Sequence, residues 1–421
     1  MGAVTPRRDP GFVTREGAPR RHRPDYWLLV LMTVLLAIGV VVVYAISPAL
    51  AVEKNVSSNY FVVRQLIAIG LGAVMFVVTA KVPLQQWRRW YIPLLVAAGL
   101  ATLLALALPV NADYPAHRWI RFGGLSFQSV ELLKFALLIG IAGFLTDRIR
   151  TKTINNSRKT LRPLLIALVA VGVVVAGIQS DLGSTAVIVA MMGIMAFVAG
   201  LPMRRLLMIL GIIAIGLILA VSVIPYRRAR LLTFLHPQSN CLTTGYQACQ
   251  ALISVGSGGM IGLGLGRSVQ AYGYLPEAEN DSIFAIYAEK FGFIGCAVLL
   301  GLMMIFFAKL KRIMEHAPDD FSRLIVTGIF VWLSTQAIIN VGAMVGLLPL
   351  KGITLPLISY GGSSVLLVMA ALGLVFQVSR YTTHGVPEAD FVPLNQGGRY
   401  DNSRDGRRVR GAYHPDFSGR E

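Results

Sequence analysis

The 421-residue sequence predicts an all-α, polytopic integral membrane protein of about ten transmembrane helices, with a large extracytoplasmic loop between the seventh and the eighth. Three observations predict it. Hydrophobic residues make up 55% of the chain and charged residues only 14%, and mean hydropathy is +0.64, a balance outside the range of soluble domains. A hydrocarbon core about 30 Å thick needs roughly 20 apolar residues per helix, and such runs recur ten times along the chain. The basic residues that give a formal charge of +18 are spread through short loops and the two tails. That spread argues against a nucleic-acid-binding patch and for topology determinants.

The first run, 26–47, follows basic residues and precedes Ala49-Leu50-Ala51, which resembles a leader cleavage site. Its apolar region of about 20 residues is too long for a typical leader, so it is read as an uncleaved first span. Runs 61–80 and 91–110 are the next two. The fourth, 127–146, carries Glu131 and Lys134, three residues apart on one helix face and able to neutralise each other. A charge at the bilayer centre costs at least about 2.5 kcal/mol, so such a pair either holds helices together or lines a polar cavity. Runs 163–180, 182–200 and 206–225 lead to the long loop 226–281, and runs 282–308, 324–347 and 357–379 complete the domain 26–380. Assigning sides in alternation puts roughly 28 of the 39 lysines and arginines with the termini, so both termini are expected in the cytoplasm. Tails 1–25 and 381–421 are rich in Arg, Gly, Pro and Asp and are expected to be disordered. They serve as solvated topology signals, or as docking segments for partners or anionic membrane lipid.

The loop 226–281 is too long for a mere connector. It opens with Arg227, Arg228 and Arg230, and Arg267 follows. Guanidinium groups suit phosphate through paired hydrogen bonds, although single arginines at an interface also snorkel. Cys241 and Cys249 either close a short disulfide loop or remain free thiols, and Cys296 within a span is read as packing. No His or Cys cluster has metal-ligand spacing. The glycine-rich run 256–266 lacks dinucleotide or P-loop spacing, so no nucleotide is expected, nor haem or flavin. It is read as backbone passing close to other helices, or as a short re-entrant segment.

Asp281 stands where this loop re-enters the membrane. An Asp before an apolar run is a good helix N-cap, which is its structural reading. Yet Glu277, Glu279 and Asp281 put three carboxylates into five residues after Pro276. Such crowding raises at least one pKa, and suits a general base or a divalent-cation (Mg or Mn) site at Asp281 and Glu277. Glu289, eight residues further and about 12 Å deeper along a helix, is grouped with Glu131 and Lys134 as a polar set inside the spans. Lys290 points to another face of the same helix.

The stretch from Asn340 to Ser364, with Gly346, Pro349, Lys351, Pro356, Ser359 and Gly361, is very similar to the signature of a known family. Further matches are Arg118-Trp119-Ile120, Phe127-Gln128 with Glu131 and Lys134, Gln179 with Asp181-Leu182-Gly183, Gly245-Tyr246-Gln247 and Leu275-Pro276-Glu277. On these motifs the chain resembles the SEDS proteins of bacteria (shape, elongation, division and sporulation), which include FtsW and RodA, over nearly all of residues 26 to 380. Lys351-Gly352-Ile353-Thr354 looks more like the division branch, FtsW. The resemblance implies peptidoglycan glycosyltransfer from lipid II at the outer face of the cytoplasmic membrane, with undecaprenyl pyrophosphate leaving. By the same resemblance Asp281 is the catalytic residue. Arg227, Arg228, Arg230, Trp119, Gln247, Lys351 and Ser359 are its candidate lipid II contacts, and a class B penicillin-binding protein and other division proteins are its partners. The immediate neighbours of Asp281 depart from the family, which commonly has Thr and Phe where this chain has Asn280 and Ser282. A lipid II flippase, using Glu131, Lys134 and Glu289 as a polar path, and a non-enzymatic division scaffold are the alternative readings.

Overall fold

The structure is a computed structural model and describes residues 20–21, 23–108, 119–122, 125–223, 234, 241–243 and 245–382. Each of the ten apolar runs falls on a helix, as hydrophobicity sustained over 20 residues requires once every backbone amide must be satisfied within its own segment. In chain order the helices are α1 (Tyr26–Glu53), α2 (Tyr60–Lys81), the short α3 (Leu84–Arg89), α4 (Tyr91–Ala107) and α5 (Ser129–Arg150). They continue as α6 (Ser157–Ile178), whose two ends are π-helical, α7 (Leu182–Val198), α8 (Met203–Val223) and α9 (Tyr246–Ser257). The last three are α10 (Ile283–Glu315), α11 (Asp320–Met344) and α12 (Gly362–Val378). Six of these are long and apolar enough to cross a membrane, and Tyr91–Ala107, Leu182–Val198 and Gly362–Val378 are shorter apolar helices.

Local chemistry fixes several ends. The carboxylates of Asp25, Asp181 and Asp319 cap α1, α7 and α11 by accepting from Trp27, Ser184 and Ser322 backbone amides. Two short antiparallel pairings complete the description: β1 (Arg20–Arg21) with β4 (Tyr381–Thr382), and the hairpin of β2 (Trp119–Phe122) with β3 (Leu125–Gln128). The first of these gives the inner edges of both expected disordered tails a paired structure. Residues 23–25 lead into α1, and the remainder of each tail lies outside the described residues.

Helix α12 forms the centre of the bundle, with nearly its whole length buried. It packs most extensively on α2, where Gly72 admits Met369 and Gly373 admits Phe76 and Thr79. A Cβ at Gly373 would lie 2.0 Å from the Thr79 hydroxyl, so this close approach requires glycine. The periphery is the reverse of a soluble protein: Val74, Leu103, Ile166, Val169, Met304 and Ile305 all face outward. Such a surface suits hydrocarbon, and the chain is a multi-pass membrane protein.

Two elements differ from the hydropathy reading. The last helix begins at Gly362 rather than near 357, because Leu357 adopts φ +66° and the Ser359 hydroxyl takes the Leu355 amide, ending helical geometry there. The eighth run is broken within α10: Gly292 adopts φ +63° and ψ −165°, a conformation open to glycine without strain.

Candidate functional site

Residues 276–282 fold as a tight turn before α10. Glu277 sits at φ +51°, and its carbonyl accepts the amides of Asn280 at 3.0 Å and Ser282 at 3.1 Å. The Ser282 hydroxyl closes the turn on the Pro276 carbonyl at 2.9 Å. This geometry makes Ser282 the N-cap residue of α10, its carbonyl accepting the Ala285 amide at 3.0 Å. Asp281 therefore does not cap the helix, and its carboxylate is left for another use.

The three clustered carboxylates are sent to three places. Glu279 is buried in an ion pair with Lys54, at the end of α1, at 2.6 Å. Glu277 is exposed and accepts from the Asn280 amide group. Asp281 is half-buried and opens on a small pocket lined by Ile339, Asn340, Met344, Lys351, Gly352 and Ile353 among others. Its backbone is clamped from below: Asn340 donates from one amide nitrogen to the Asp281 carbonyl at 2.7 Å and the Ile353 carbonyl at 2.6 Å. Gly352, at φ +61°, brings the 351–353 turn up against the carboxylate, where a Cβ would lie 3.6 Å from Asp281 Oδ2. From α9 the Gln247 side chain donates to Asp281 Oδ1 at 3.5 Å and to the Ser282 hydroxyl at 3.2 Å.

Burial, and after it the negative charge of Glu277, push the Asp281 carboxyl up from 3.8 to about 7, against the smaller opposing effects of its backbone and of Gln247. A carboxyl poised there is a competent general base near neutral pH.

Several expected site residues meet at this pocket and several do not. Gln247 donates to the Asp281 carboxylate, and Lys351 lines the pocket on which that carboxylate opens. Ser359, expected to touch substrate, is instead buried and committed: its hydroxyl accepts the Leu355 amide at 2.7 Å and donates to the Asn280 carbonyl at 2.6 Å. Its work is to hold the turn that carries Asp281. Trp119 lies on the β2–β3 hairpin, opposite Gln128, whose amide bonds the Ser363 hydroxyl at the start of α12, and it does not line the pocket. Arg227, Arg228 and Arg230 lie outside the described residues. Cys241 and Cys249 form a disulfide at the head of α9, two residues from Gln247, which decides between the two readings of that pair. Among the described residues, no group of three or more His, Cys, Asp or Glu side chains gathers as a metal site.

The polar set inside the spans is two clusters rather than one. Lys134 and Glu131 pair at 2.7 Å, both buried, and Lys134 also reaches Gln336 at 3.3 Å and the Trp332 ring at 5.1 Å. Gln336 in turn holds Thr354, in the same loop as Lys351, through its carbonyl and hydroxyl at 3.0 Å. Glu289 belongs elsewhere, accepting from the Ser268 hydroxyl and from the amides of Val269 at 2.9 Å and Gln270 at 3.2 Å.

Asn340 was missed as a site residue by sequence reasoning, although it opens the signature stretch. A lone carboxamide at the end of an apolar run was the available signal.

A family model described as cell cycle protein, covering FtsW, RodA and SpoVE, matches residues 26–384. A probable peptidoglycan glycosyltransferase FtsW of Saccharophagus degradans is 37% identical over 85% of this chain and 93% of its own length. The stage V sporulation protein E of Bacillus subtilis is 36% identical over 87% of this chain and 99% of its own. Among solved structures, a chain from a peptidoglycan synthase complex that coordinates polymerization and crosslinking superposes with TM-score 0.69 at 29% identity, covering 85% of this chain and 98% of that one. The rod shape determining protein RodA of Thermus thermophilus superposes with TM-score 0.62 at 28% identity, covering 85% and 97%.

Proposed function

The chain belongs to the FtsW, RodA and SpoVE family, and from that premise we propose that it is a peptidoglycan glycosyltransferase of cell division, with Asp281 as its general base. It polymerises lipid II at the outer face of the bacterial cytoplasmic membrane, both termini being cytoplasmic. The single observation that carries the reading is the Asp281 carboxylate, set at a pocket by Asn340 on its backbone carbonyl and by Gln247 on its side chain, with its pKa raised to about 7, in a turn that does not use it as a helix cap.

The reaction follows from that placement. The 4-hydroxyl of the acceptor sugar attacks the anomeric carbon of the donor. The carbon–oxygen bond to phosphate breaks, undecaprenyl pyrophosphate leaves with the electron pair, and the hydroxyl proton passes to Asp281. Configuration inverts in one displacement, with no covalent enzyme intermediate. Lys351, on the same pocket wall, is assigned to charge growing on the pyrophosphate, with Arg227, Arg228 and Arg230. Gln247 orients Asp281, and Trp119 is assigned to the acceptor side. A divalent cation (Mg or Mn) would be held by Asp281 and Glu277, whose charges already interact. It would supply neutralisation of charge on the leaving group, two neighbouring carboxylates being the hard oxygen donors such an ion takes.

Lipid II is the substrate, and a class B penicillin-binding protein is the proposed partner, in line with the synthase complex to which the fold is similar. The flippase reading needs Glu131, Lys134 and Glu289 to line one path, and their separate engagement gives it no support. The test gives pure full-length protein labelled lipid II, with and without the transpeptidase partner, and resolves glycan strands on a gel. Polymer from the native chain and none from Asp281→Asn is expected. Unchanged polymer from the Asn variant would overturn the base assignment, and no polymer from the native chain under either condition would overturn the activity.

A further inference from the structure

The glycine-rich run 256–266, the buried Glu289 and Lys290, and the break at Gly292 have one common explanation. Helix α9 descends beside α10 from the level of Asp281. Gln247 meets Asp281 and Ser282, Ser254 donates to the Ala285 carbonyl at 3.0 Å, and Gly258 lies against the Ala288 carbonyl. The chain then enters the break in α10. There it exchanges backbone hydrogen bonds: Leu263 N to Glu289 O at 2.9 Å, Gly264 N to Lys290 O at 3.0 Å, Phe293 N to Gly259 O at 2.9 Å and Ile294 N to Met260 O at 3.1 Å. A Cβ at Gly262 would lie 2.2 Å from the Lys290 carbonyl, so only glycine admits this seat. Lys290 Nζ holds the Leu265 carbonyl at 2.9 Å, and the Glu289 carboxylate holds the returning arm at residues 268–270. The insert thus carries its own anchors, and the broken helix and the loop satisfy each other's backbone.

Its depth can be placed by length. The charged end of α10 starts at Lys309. Roughly 20 residues at about 1.5 Å each, counted back from there, put the opposite hydrocarbon boundary near Glu289. The insert is seated at that level. Its side chains Met260, Ile261, Leu263 and Leu265 are exposed, and they adjoin Phe293 and Ile294, which are exposed on the hydrocarbon-facing part of α10. The apolar strip is therefore continuous with the lipid-facing belt, and Arg267 beside it has the reach to snorkel to headgroups.

We propose that residues 258–266 are a monotopic insert whose apolar side chains bury into the acyl-chain boundary of the leaflet on the Asp281 side. Anchored to α10, this insert fixes the height of the Asp281 turn at about 12 Å above the hydrocarbon, eight residues up from Glu289. The occupant is the hydrocarbon of membrane lipid. The insertion itself does not depend on the catalytic assignment, so either can fail alone.

The test uses the full chain in lipid nanodiscs, with Cys296→Ala to remove the free thiol and one nitroxide-labelled cysteine at a time. Ile261→Cys places the label at a side chain that is 79% exposed, which spares packing. Phe293→Cys is the lipid-facing control, and Leu242→Cys, at a position 93% exposed beside the disulfide and level with Asp281, is the aqueous control. Collision with dissolved oxygen and with a water-soluble nickel chelate is measured. At Ile261 oxygen access is expected to exceed nickel access severalfold, matching Phe293 and reversing Leu242. Gly262→Val is expected to unseat the insert and move the Ile261 label toward the nickel-accessible pattern. An Ile261 label that behaves like Leu242 would overturn the proposal, and so would one shielded from both reagents, since protein would then cover the strip.

Discussion

Two buried polar regions of this molecule treat their carboxylates in opposite ways. In the bundle interior Glu131 is matched to Lys134 at 2.7 Å, and that lysine is matched again by Gln336 and the Trp332 ring. At the Asp281 turn the backbone is held by two strong bonds from neighbouring elements, while the carboxylate receives a long one of 3.5 Å from Gln247. The first arrangement spends its charge on joining α5 to α11 and to the 351–359 loop. The second fixes position and leaves charge available. Within one chain, then, the two acids are told apart by a buried lysine counter-ion at Glu131 and a neutral carboxamide at Asp281, and not by how many bonds each carboxylate accepts, since Glu131 Oε2 has no partner.

The largest expected effect tests that distinction directly. Asp281→Asn should lower lipid II polymerisation roughly 100-fold to 10,000-fold in the glycan gel assay. Because the fold raises this carboxyl from 3.8 to about 7, ionising it costs stability as pH rises between those values. The Asn variant should accordingly unfold at a temperature no lower than the native chain at pH 8. A destabilised Asn variant would mean that the carboxylate was structural after all.

Glu131→Gln is the converse. It leaves Lys134 buried without its counter-ion, and an unfolding cost of about 3–5 kcal/mol is expected in detergent melts. Replacing both partners, Glu131→Leu with Lys134→Met, should recover much of it, and failure to recover would show that the pair does more than join helices.

Asn340→Ala comes next. Two buried carbonyls, of Asp281 and Ile353, lose their donor, at about 1–3 kcal/mol each. Turnover should fall roughly 10-fold to 100-fold with little change in KM, since Asn340 positions the base. A rise in KM with turnover intact would make Asn340 a substrate contact.

The smallest effect concerns pH. Polymerisation should rise through about pH 7 as the Asp281 carboxylate forms. Glu277→Gln removes the neighbouring negative charge, the second cause of the raised value, so the rising limb should move to lower pH by less than about one unit. An unmoved limb would leave burial and the Glu279 charge as the causes.

The spans were legible because hydrophobicity is a local property: a run such as 61–80, all of it within α2, must be helical in lipid whatever its neighbours do. The disulfide and the Glu131–Lys134 pair were open to sequence reasoning, since spacing and motif limited the choices, whereas Gln247 and Lys351 stood there only as candidate substrate contacts and their places beside Asp281 came from the fold. The break in α10 was not legible. Gly292 lies between Phe291 and Phe293, just after Glu289 and Lys290, where a glycine alone signals no break, and the helix breaks there because residues 259–264 of the preceding loop supply the hydrogen bonds that it gives up. Ser359 was misread for a related reason, because a hydroxyl in a signature motif reads the same whether it meets substrate or the Asn280 carbonyl.

The sequence by itself determined that this chain crosses a membrane many times, where its apolar runs lie, and that three carboxylates, Asp281 among them, stand before the eighth. Those follow from residue types summed over short windows and from a specific motif. Only the tertiary structure decided that Asp281 is no helix cap, that Glu279 and Glu289 are occupied elsewhere, and that the glycine run fills a broken helix. Each of these depends on which backbone donor or side chain arrives from a distant segment, and hydrogen bonding is settled by that arrival rather than by local composition.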